Sequence, residues 1–136
     1  MRSLPLILAA ATLGSCAIDN QPIAPRPVAG ASTVAYLLDG KTAGPPVKCL
    51  PSYRSSDMTV LDSQTVAYRY GGNQTYVVHL SQGCDDIAAG AALVTRTYGT
   101  DQTCTGDVER TLSGGSRIIG GSCSVLSIVP YTSPRG

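Results

Sequence analysis

From Met58 to Val129 apolar and polar residues alternate with the period of two that a pleated strand imposes. The segments are "MTVLD" (58–62), "TVAYRY" (65–70), "TYVVHL" (75–80), "AALVTRTY" (91–98), "DVERTL" (107–112), "SRIIG" (116–120) and "SVLSIV" (124–129). They are rich in Val, Ile, Thr and Tyr, which suit a half-buried pleated surface. Ser63-Gln64, Gly71-Gly72-Asn73 and Gly114-Gly115 separate neighbours in the way of hairpin turns. No helical period runs through 49–131. The pattern predicts an all-β domain of about six to eight strands, a small antiparallel meander, sandwich or barrel-like fold.

One hairpin fixes its own register. A three-residue loop at Gly71-Gly72-Asn73 sets Tyr70 opposite Gln74, Tyr68 opposite Tyr76 and Val66 opposite Val78 on one side. The other side then carries Arg69 with Thr75, Ala67 with Val77 and Thr65 with His79. One side is apolar and aromatic, the other mixed. A slip of one residue destroys that separation. A loop glycine supplies the positive φ that such turns need.

Upstream the pattern changes. "VAYLLDG" (34–40) is short and apolar and reads either as a strand or as a turn of helix, and "KTAGPPV" then breaks regular structure. Residues 17–33 hold Pro22, Pro25 and Pro27 without any period, the composition of an extended tether. Residues 1–15 have a basic start at Arg2, then ten largely apolar residues from Leu4 to Leu13 and a small-residue end. A membrane-spanning helix needs about 20 residues, so this unit reads as a secretory signal. Leu13-Gly14-Ser15-Cys16 resembles the bacterial lipobox. The resemblance implies cleavage before Cys16 and acylation of its thiol and new amino group; the competing reading is ordinary signal cleavage after Ala17, since Ser15 and Ala17 are both small. Residue 17 is Ala and not Asp; by analogy with enteric lipoproteins, that implies transport to the outer membrane. The expected organisation is a signal over 1–15, a lipidated Cys16 with its tether over 16–33, and a disulfide-bonded β domain over 34–136.

Composition adds two points. The chain has no Trp or Phe but seven Tyr. Its core therefore needs Val, Leu, Ile and Ala, with Tyr in the larger gaps, and a core that modest suits a cross-linked domain. Without residues 1–15 the basic and acidic residues balance at nine each. This leaves no basic footprint for nucleic acid and no polybasic membrane patch, so the membrane partner is reached through the lipid alone.

Five cysteines cannot all pair. Cys16 adjoins the signal; Cys49, Cys84, Cys104 and Cys123 lie in the domain. Their spacings of 35, 20 and 19 residues lack the close pairs of zinc sites, and an exported chain meets an oxidising compartment. Two disulfides are expected. The midpoint of Cys104 and Cys123, 113.5, lies one residue from the centre of the Ser113–Ser116 turn, which predicts Cys104–Cys123 and, by difference, Cys49–Cys84. Strict symmetry opposes Arg110 and Arg117, an unfavourable like-charge pair that a register two residues longer avoids.

The stretches "KCLPSYRSSDMTVLDSQTVAYRYGGNQTYVVHLSQGC", "CTGDVERTLSGGSRIIGGSC" and "IVPY" together resemble a group of small exported proteins of Gram-negative bacteria known only as a domain of unknown function. The shared pattern is Cys49, Arg54, Val60-Leu61-Asp62, Thr65, Gly72, Tyr76, Leu80, Cys84, Cys104, Asp107, Cys123 and Pro130-Tyr131, over residues 48–131. The chain departs from it at Ser55, where an aliphatic residue is expected, and at Ser124-Val125-Leu126, where a glycine-bearing segment is expected. The resemblance implies no activity, cofactor or catalytic residue.

Candidate chemistry is sparse. His79 is the only histidine; on the mixed side of its strand it reads as a solvated residue, not as a catalytic base. Asp85-Asp86 lack the further oxygens of a calcium loop, and Asp62 reads as a turn residue. "SGGSRIIGGS" has no helix after it to cradle a phosphate, so its glycines read as a hairpin and a bulge. Arg54 and Arg69 suit ion pairs with Asp57 or Asp62. Tyr68, Tyr70 and Tyr76 share one face, which is core packing or, if exposed, a binding face. No metal or cofactor is expected. The functional expectation is an envelope lipoprotein, outer-membrane-anchored and facing the periplasm. It acts as a non-enzymatic binding or structural module with a protein or small-molecule partner; a small enzyme or enzyme inhibitor is the alternative.

Overall fold

Alternation of Val, Thr and Tyr through 57–80 builds a three-stranded meander, and the rest of the domain is added to its last strand. The computed structural model describes residues 30–52, 57–96, 101–113 and 118–134. Its elements are α1 (Ala31–Leu38), β1 (Thr42–Ala43), β2 (Asp57–Asp62), β3 (Thr65–Tyr70), β4 (Gln74–Leu80), a 3₁₀ helix (Asp85–Ala89), β5 (Ala92–Arg96), β6 (Val108–Leu112) and β7 (Ile119–Thr132). The strands form one antiparallel sheet in the order β2-β3-β4-β7-β6-β5, with β1 beside β7. The sheet curls into a half-barrel, so the domain is all-β with one short α-helix. The β3–β4 register is the one the residue pattern predicts at all six pairs, from Thr65↔His79 to Tyr70↔Gln74. Gly71 supplies the positive φ of the loop, at 67°.

Each face of the sheet has its own core. On the concave face Val66, Val78 and Ile128, side by side on β3, β4 and β7, are essentially inaccessible and centre a cluster with Leu50, Tyr70, Tyr76, Leu80, Ile87 and Val125. Each such side chain contributes about 1.5–3 kcal/mol by burial. On the other face, the one read as mixed, Ala67 and Val77 are buried under α1. Val34, Leu37 and Leu38 recur at the helical spacing of three and four and meet that face, while Tyr36 points to solvent. "VAYLL" is thus helix and not strand. Its C-terminal end is tied down by the Lys41 ammonium, which donates to the Leu37 carbonyl at 2.8 Å.

β7 differs from expectation. The segments 116–120 and 124–129 read as two strands, but Ile119–Thr132 is continuous. Gly120-Gly121 lies opposite a register shift between Arg110 and Leu112, the bulge the glycines predict. The strand also runs through Pro130, whose carbonyl accepts the Gly44 N–H at 2.8 Å. A strand residue aims its N and C=O to the same side, so the missing Pro130 N–H falls on the short β1 side and spares the ladder to β4.

The disulfides join Cys49 to Cys104 and Cys84 to Cys123. All four predicted cysteines are paired, but the predicted partners, Cys104–Cys123 and Cys49–Cys84, are wrong. The β6–β7 pairs Val108↔Ser124, Glu109↔Cys123 and Arg110↔Ser122 centre that hairpin at 116, well past the 113.5 assumed, so Cys123 faces Glu109 and not Cys104. Cys104 lies before β6, where 103–105 pairs with 48–50 through Leu50 N–H to Thr103 O and Thr105 N–H to Lys48 O, each 2.8 Å. Cys49 and Cys104 are directly opposed there, with Cα atoms 3.9 Å apart. Cys84 reaches Cys123 because the loop after β4 folds over β7. Ser81 N–H donates to the Ser124 carbonyl at 2.9 Å. A Cβ on Gly121 would collide with the Gly83 carbonyl, and one on Gly83, whose φ is +111°, with the Ser122 carbonyl. Only glycine permits that approach.

Two outcomes are expected. Non-reducing peptide mapping should recover Cys49–Cys104 and Cys84–Cys123, each closing a loop that in the chain-entropy model stabilises by about 4 kcal/mol; a Cys49–Cys84 peptide would overturn the register of β6. Gly121→Ala should lower stability in urea by about 2–3 kcal/mol, the upper range for overpacking, because a backbone carbonyl cannot rotate aside; a loss near zero would mean that the loop does not sit on β7.

Candidate functional site

Glu109 is the least expected residue of the core. It sits in mid-β6 between Thr95 on β5 and Cys123 on β7. Cross-strand neighbours project from the same face. Since Cys123 turns inward to its disulfide, so do Glu109 and, two residues on, Thr111. Glu109 is 1 % exposed and Thr111 is inaccessible, while Val108 and Arg110 are exposed. Hydrophobicity alone would orient β6 the other way.

The carboxyl of Glu109 meets a hydroxyl of the neighbouring strand. The Thr95 hydroxyl hydrogen-bonds its carboxyl, and Thr103 donates in turn to Thr95 at 3.5 Å. Like Asp86 Oδ1, its other oxygen, Oε2, is buried without a hydrogen-bond partner among the described residues. Burial is the main cause that pushes its pKa above the ordinary glutamate range; the Thr95 bond opposes this and the charge of Asp107 adds to it. Tyr68, half-buried on β3, is shifted upward by burial and then by the charge of Glu109. In a flat sheet, β3 and β6 would lie about 14 Å apart, three strand spacings of ~4.8 Å; the sheet is curled, and the charge of Glu109 bears on Tyr68.

The three tyrosines singled out from the sequence all belong to this interior. Tyr70 and Tyr76 are buried and meet edge to face, with centroids 5.1 Å apart and rings at 77°, a favoured aromatic geometry. They are core packing, and Tyr68 is partly buried against the same cluster. The tyrosines do not form an outward face.

The remaining candidates lie elsewhere. His79 is exposed and lines an open depression of ≈ 450 Å³ with Asp62, Ser63, Thr65 and Leu126. Asp62 Oδ1 accepts the Gln64 N–H at 2.8 Å, the expected turn role, and no hydrogen bond joins His79 to Asp62 or Ser63. Asp86 Oδ2 accepts the Thr111 hydroxyl at 2.7 Å, and Thr111 Oγ1 accepts the Gly121 N–H at 2.6 Å. Asp86 thereby holds the 3₁₀ helix to the bulge. Asp85 accepts the Gly83 N–H at 3.3 Å. Arg69 pairs with Asp57 at 3.3 Å, an exposed contact of small weight. A second open depression, of ≈ 470 Å³, lies between the end of α1 and the β3–β4 loop. Among the described residues no group of three or more His, Cys, Asp or Glu is placed to hold a metal ion, and no helix is long and apolar enough to cross a membrane. Cys16, Arg54 and the Gly114–Arg117 part of the glycine-rich turn lie outside the described residues.

Fold and site together define a small β half-barrel stapled by two disulfides, with one buried carboxyl in its concave face. The chain belongs to a family of unknown function (DUF6491), whose model matches residues 1–134. No curated protein and no solved structure matches it.

The raised pKa of Glu109 has a thermodynamic consequence. The folded state holds its proton at pH values where the unfolded chain has lost it. The contribution of Glu109 to stability is therefore fully present below the ordinary glutamate pKa, about 4.3, and is lost as pH rises from there through the folded-state value. In urea titrations between pH 4 and 7, wild type should lose stability relative to Glu109→Gln, whose amide does not titrate. Parallel curves for the two proteins would show that Glu109 is solvated.

Proposed function

We propose that the protein is an exported lipoprotein of a Gram-negative envelope, anchored to the outer membrane through Cys16, and that its β domain works in the periplasm by binding and not by catalysis. The observation that carries the export reading is the cysteine pairing. Cys49, Cys84, Cys104 and Cys123 are consumed by one another, which suits an oxidising compartment and leaves Cys16 no intramolecular partner. Its place at the end of a ten-residue apolar segment supports acylation. Each buried methylene contributes about 0.8 kcal/mol, and several chains make a firm anchor where one does not. The tether expected over 17–33 ends earlier than that, because residues 31–33 open α1; the proline-bearing part before the helix would hold the domain clear of the bilayer.

The enzyme reading has one observation in its favour, the depression that gathers His79, Asp62 and Ser63. A histidine that activates a hydroxyl must hydrogen-bond to it and be oriented by an acid. Neither bond is formed, and Asp62 is engaged with its own turn. Binding remains the better reading.

The anchor is tested in a Gram-negative host by labelling with a palmitate analogue. Wild type should take the label and fractionate with the outer membrane; Cys16→Ser should lose the label and become soluble in the periplasm. An unlabelled wild type whose mature N-terminus begins at Ile18 would sink the proposal.

A further inference from the structure

We propose that β5, an open edge of the sheet, takes up an extended acidic segment of a partner protein as an added strand, with Val94, Arg96 and Arg110 reading its side chains. This rests on the binding reading above, names the surface that binds, and does not depend on the lipid anchor.

The half-barrel has two edges, β2 and β5, and they are not alike. β2 is blunted. A register shift between Val60 and Asp62 interrupts its ladder to β3, it carries Asp57 and Asp62, and the 3₁₀ helix lies against it. Bulges, charges and covering elements are how natural sheets keep an edge from pairing. β5 is in register with β6 at all five pairs, from Ala92↔Leu112 to Arg96↔Val108. It has no bulge, proline or acid, and its one charge is Arg96 at the end. Among the described residues, Leu93, Val94 and Thr95 form no backbone hydrogen bond outside the ladder to β6. Alternate residues of an antiparallel strand turn N–H and C=O away from the neighbour they pair with. The free side of β5 therefore offers donors and acceptors in strand geometry.

The side chains beside this edge define the partner. Leu93 and Thr95 are partly buried on the inward side, while Val94 and Arg96 are exposed on the convex side. The registers lay out the convex side as three rows: Ala92, Leu112 and Ile119; Val94, Arg110 and Ser122; Arg96, Val108 and Ser124. Val94 is 43 % and Val108 38 % exposed, whereas α1 covers Ala67 and Val77 elsewhere on that side. The nine positions hold two arginines and no acid.

Charge selects between occupants. A second copy of this chain, paired β5 to β5, would gather four arginines on one face with no acid among them, and like charges on neighbouring strands are unfavourable. An acidic segment reverses that sign. With an apolar residue opposite Val94, the residues two positions before and after it project from the same face. One of them meets Arg96 directly. Arg110 lies one strand further in, about 10 Å or two strand spacings from the added chain, a gap that long Arg and Glu side chains span together. Main-chain hydrogen bonds to β5 would supply affinity, and the pattern acid, any residue, apolar, any residue, acid would supply specificity.

The test uses the full chain carrying Cys16→Ser and the peptide acetyl-Thr-Glu-Thr-Val-Val-Glu-Thr-amide, followed by ¹H–¹⁵N NMR and amide hydrogen exchange. Parallel arms are the same peptide with both Glu replaced by Lys and the acidic peptide N-methylated at alternate residues, which removes donors to the added ladder. The expected result is saturable shifts of the amides of Ala92–Arg96, with slower exchange at alternate β5 amides. The Lys peptide and the N-methylated peptide should each bind at least tenfold more weakly. Arg110→Glu, at an exposed position, should weaken the acidic peptide tenfold or more and improve the Lys peptide. Asp57→Asn, on the blunted edge, should leave binding within a fewfold. Should Arg110→Glu fold poorly, the two control peptides decide the matter on the unaltered domain. No saturable shift with the acidic peptide, equal binding of either control peptide, shifts centred on β2, or undiminished binding by a folded Arg110→Glu would each overturn the proposal. So would sedimentation showing that the chain dimerises through β5 without peptide. A protein partner captured equally by wild type and Arg110→Glu would keep the binding reading and sink this edge, so the two fail separately.

Discussion

The Gly83 carbonyl occupies the place where a side chain on Gly121 would begin. That close approach of the post-β4 loop to β7 sets most of what is distinctive in the half-barrel. It puts Cys84 over Cys123, and it seats the 3₁₀ helix at one end of the concave face, where Ile87 joins the core. From there Asp86 bonds Thr111, which in turn takes the Gly121 N–H left over at the bulge. A Cβ on Gly120 would strike the same Asp86 oxygen. Three glycines, one carboxylate, one hydroxyl and one disulfide thus solve a single packing problem, and each is needed because the others bring two backbones so close.

The orientation of β6 follows from it. With Cys123 committed inward, Glu109 must face inward too, since the two are cross-strand partners. A domain of this size has a small margin, roughly 0.05–0.15 kcal/mol per residue, and an imperfectly paired buried carboxyl costs on the order of 1–3 kcal/mol. Two disulfides at about 4 kcal/mol each in the chain-entropy model offset that cost. A cross-linked scaffold can therefore hold a poorly solvated acid where an uncross-linked sheet with neither Trp nor Phe would give up much of its stability.

The parts of the fold legible in the sequence were those set by local alternation. The β3–β4 hairpin is a closed problem: its side-chain pattern, its loop glycine and its register are all written within Thr65–Leu80, and every pair came out as expected. The turn role of Asp62 and the bulge at Gly120-Gly121 were local in the same sense. The disulfide partners were not. They depend on how far the β6–β7 hairpin extends and on the 48–50 segment finding 103–105, a contact across more than fifty residues that no periodicity encodes. The covering of Ala67 and Val77 by α1 was hidden because that strand face reads as mixed until a helix is placed on it. Glu109 escaped notice for a related reason. In "DVERTL" the apolar residues are Val108 and Leu112, and hydrophobicity alone would have turned them inward. The correct signal was Cys123, and it could be used only with the right register.

Glu109 also sits at an informative distance from the edge of the sheet. Residues that only stabilise are best placed at the centre, where Val66, Val78 and Ile128 lie in one row with strands on either side. Glu109 is one strand from the edge, and its single hydrogen-bond partner is on the edge strand itself. β5 has no neighbour beyond it in the sheet, so its separation from β6 breaks one ladder and exposes little of the central core. Elements that open for ligands come from the least stable parts of a fold. The hydroxyl chain Thr103–Thr95–Glu109 ties the buried acid to that strand and to the segment pinned by the Cys49–Cys104 disulfide.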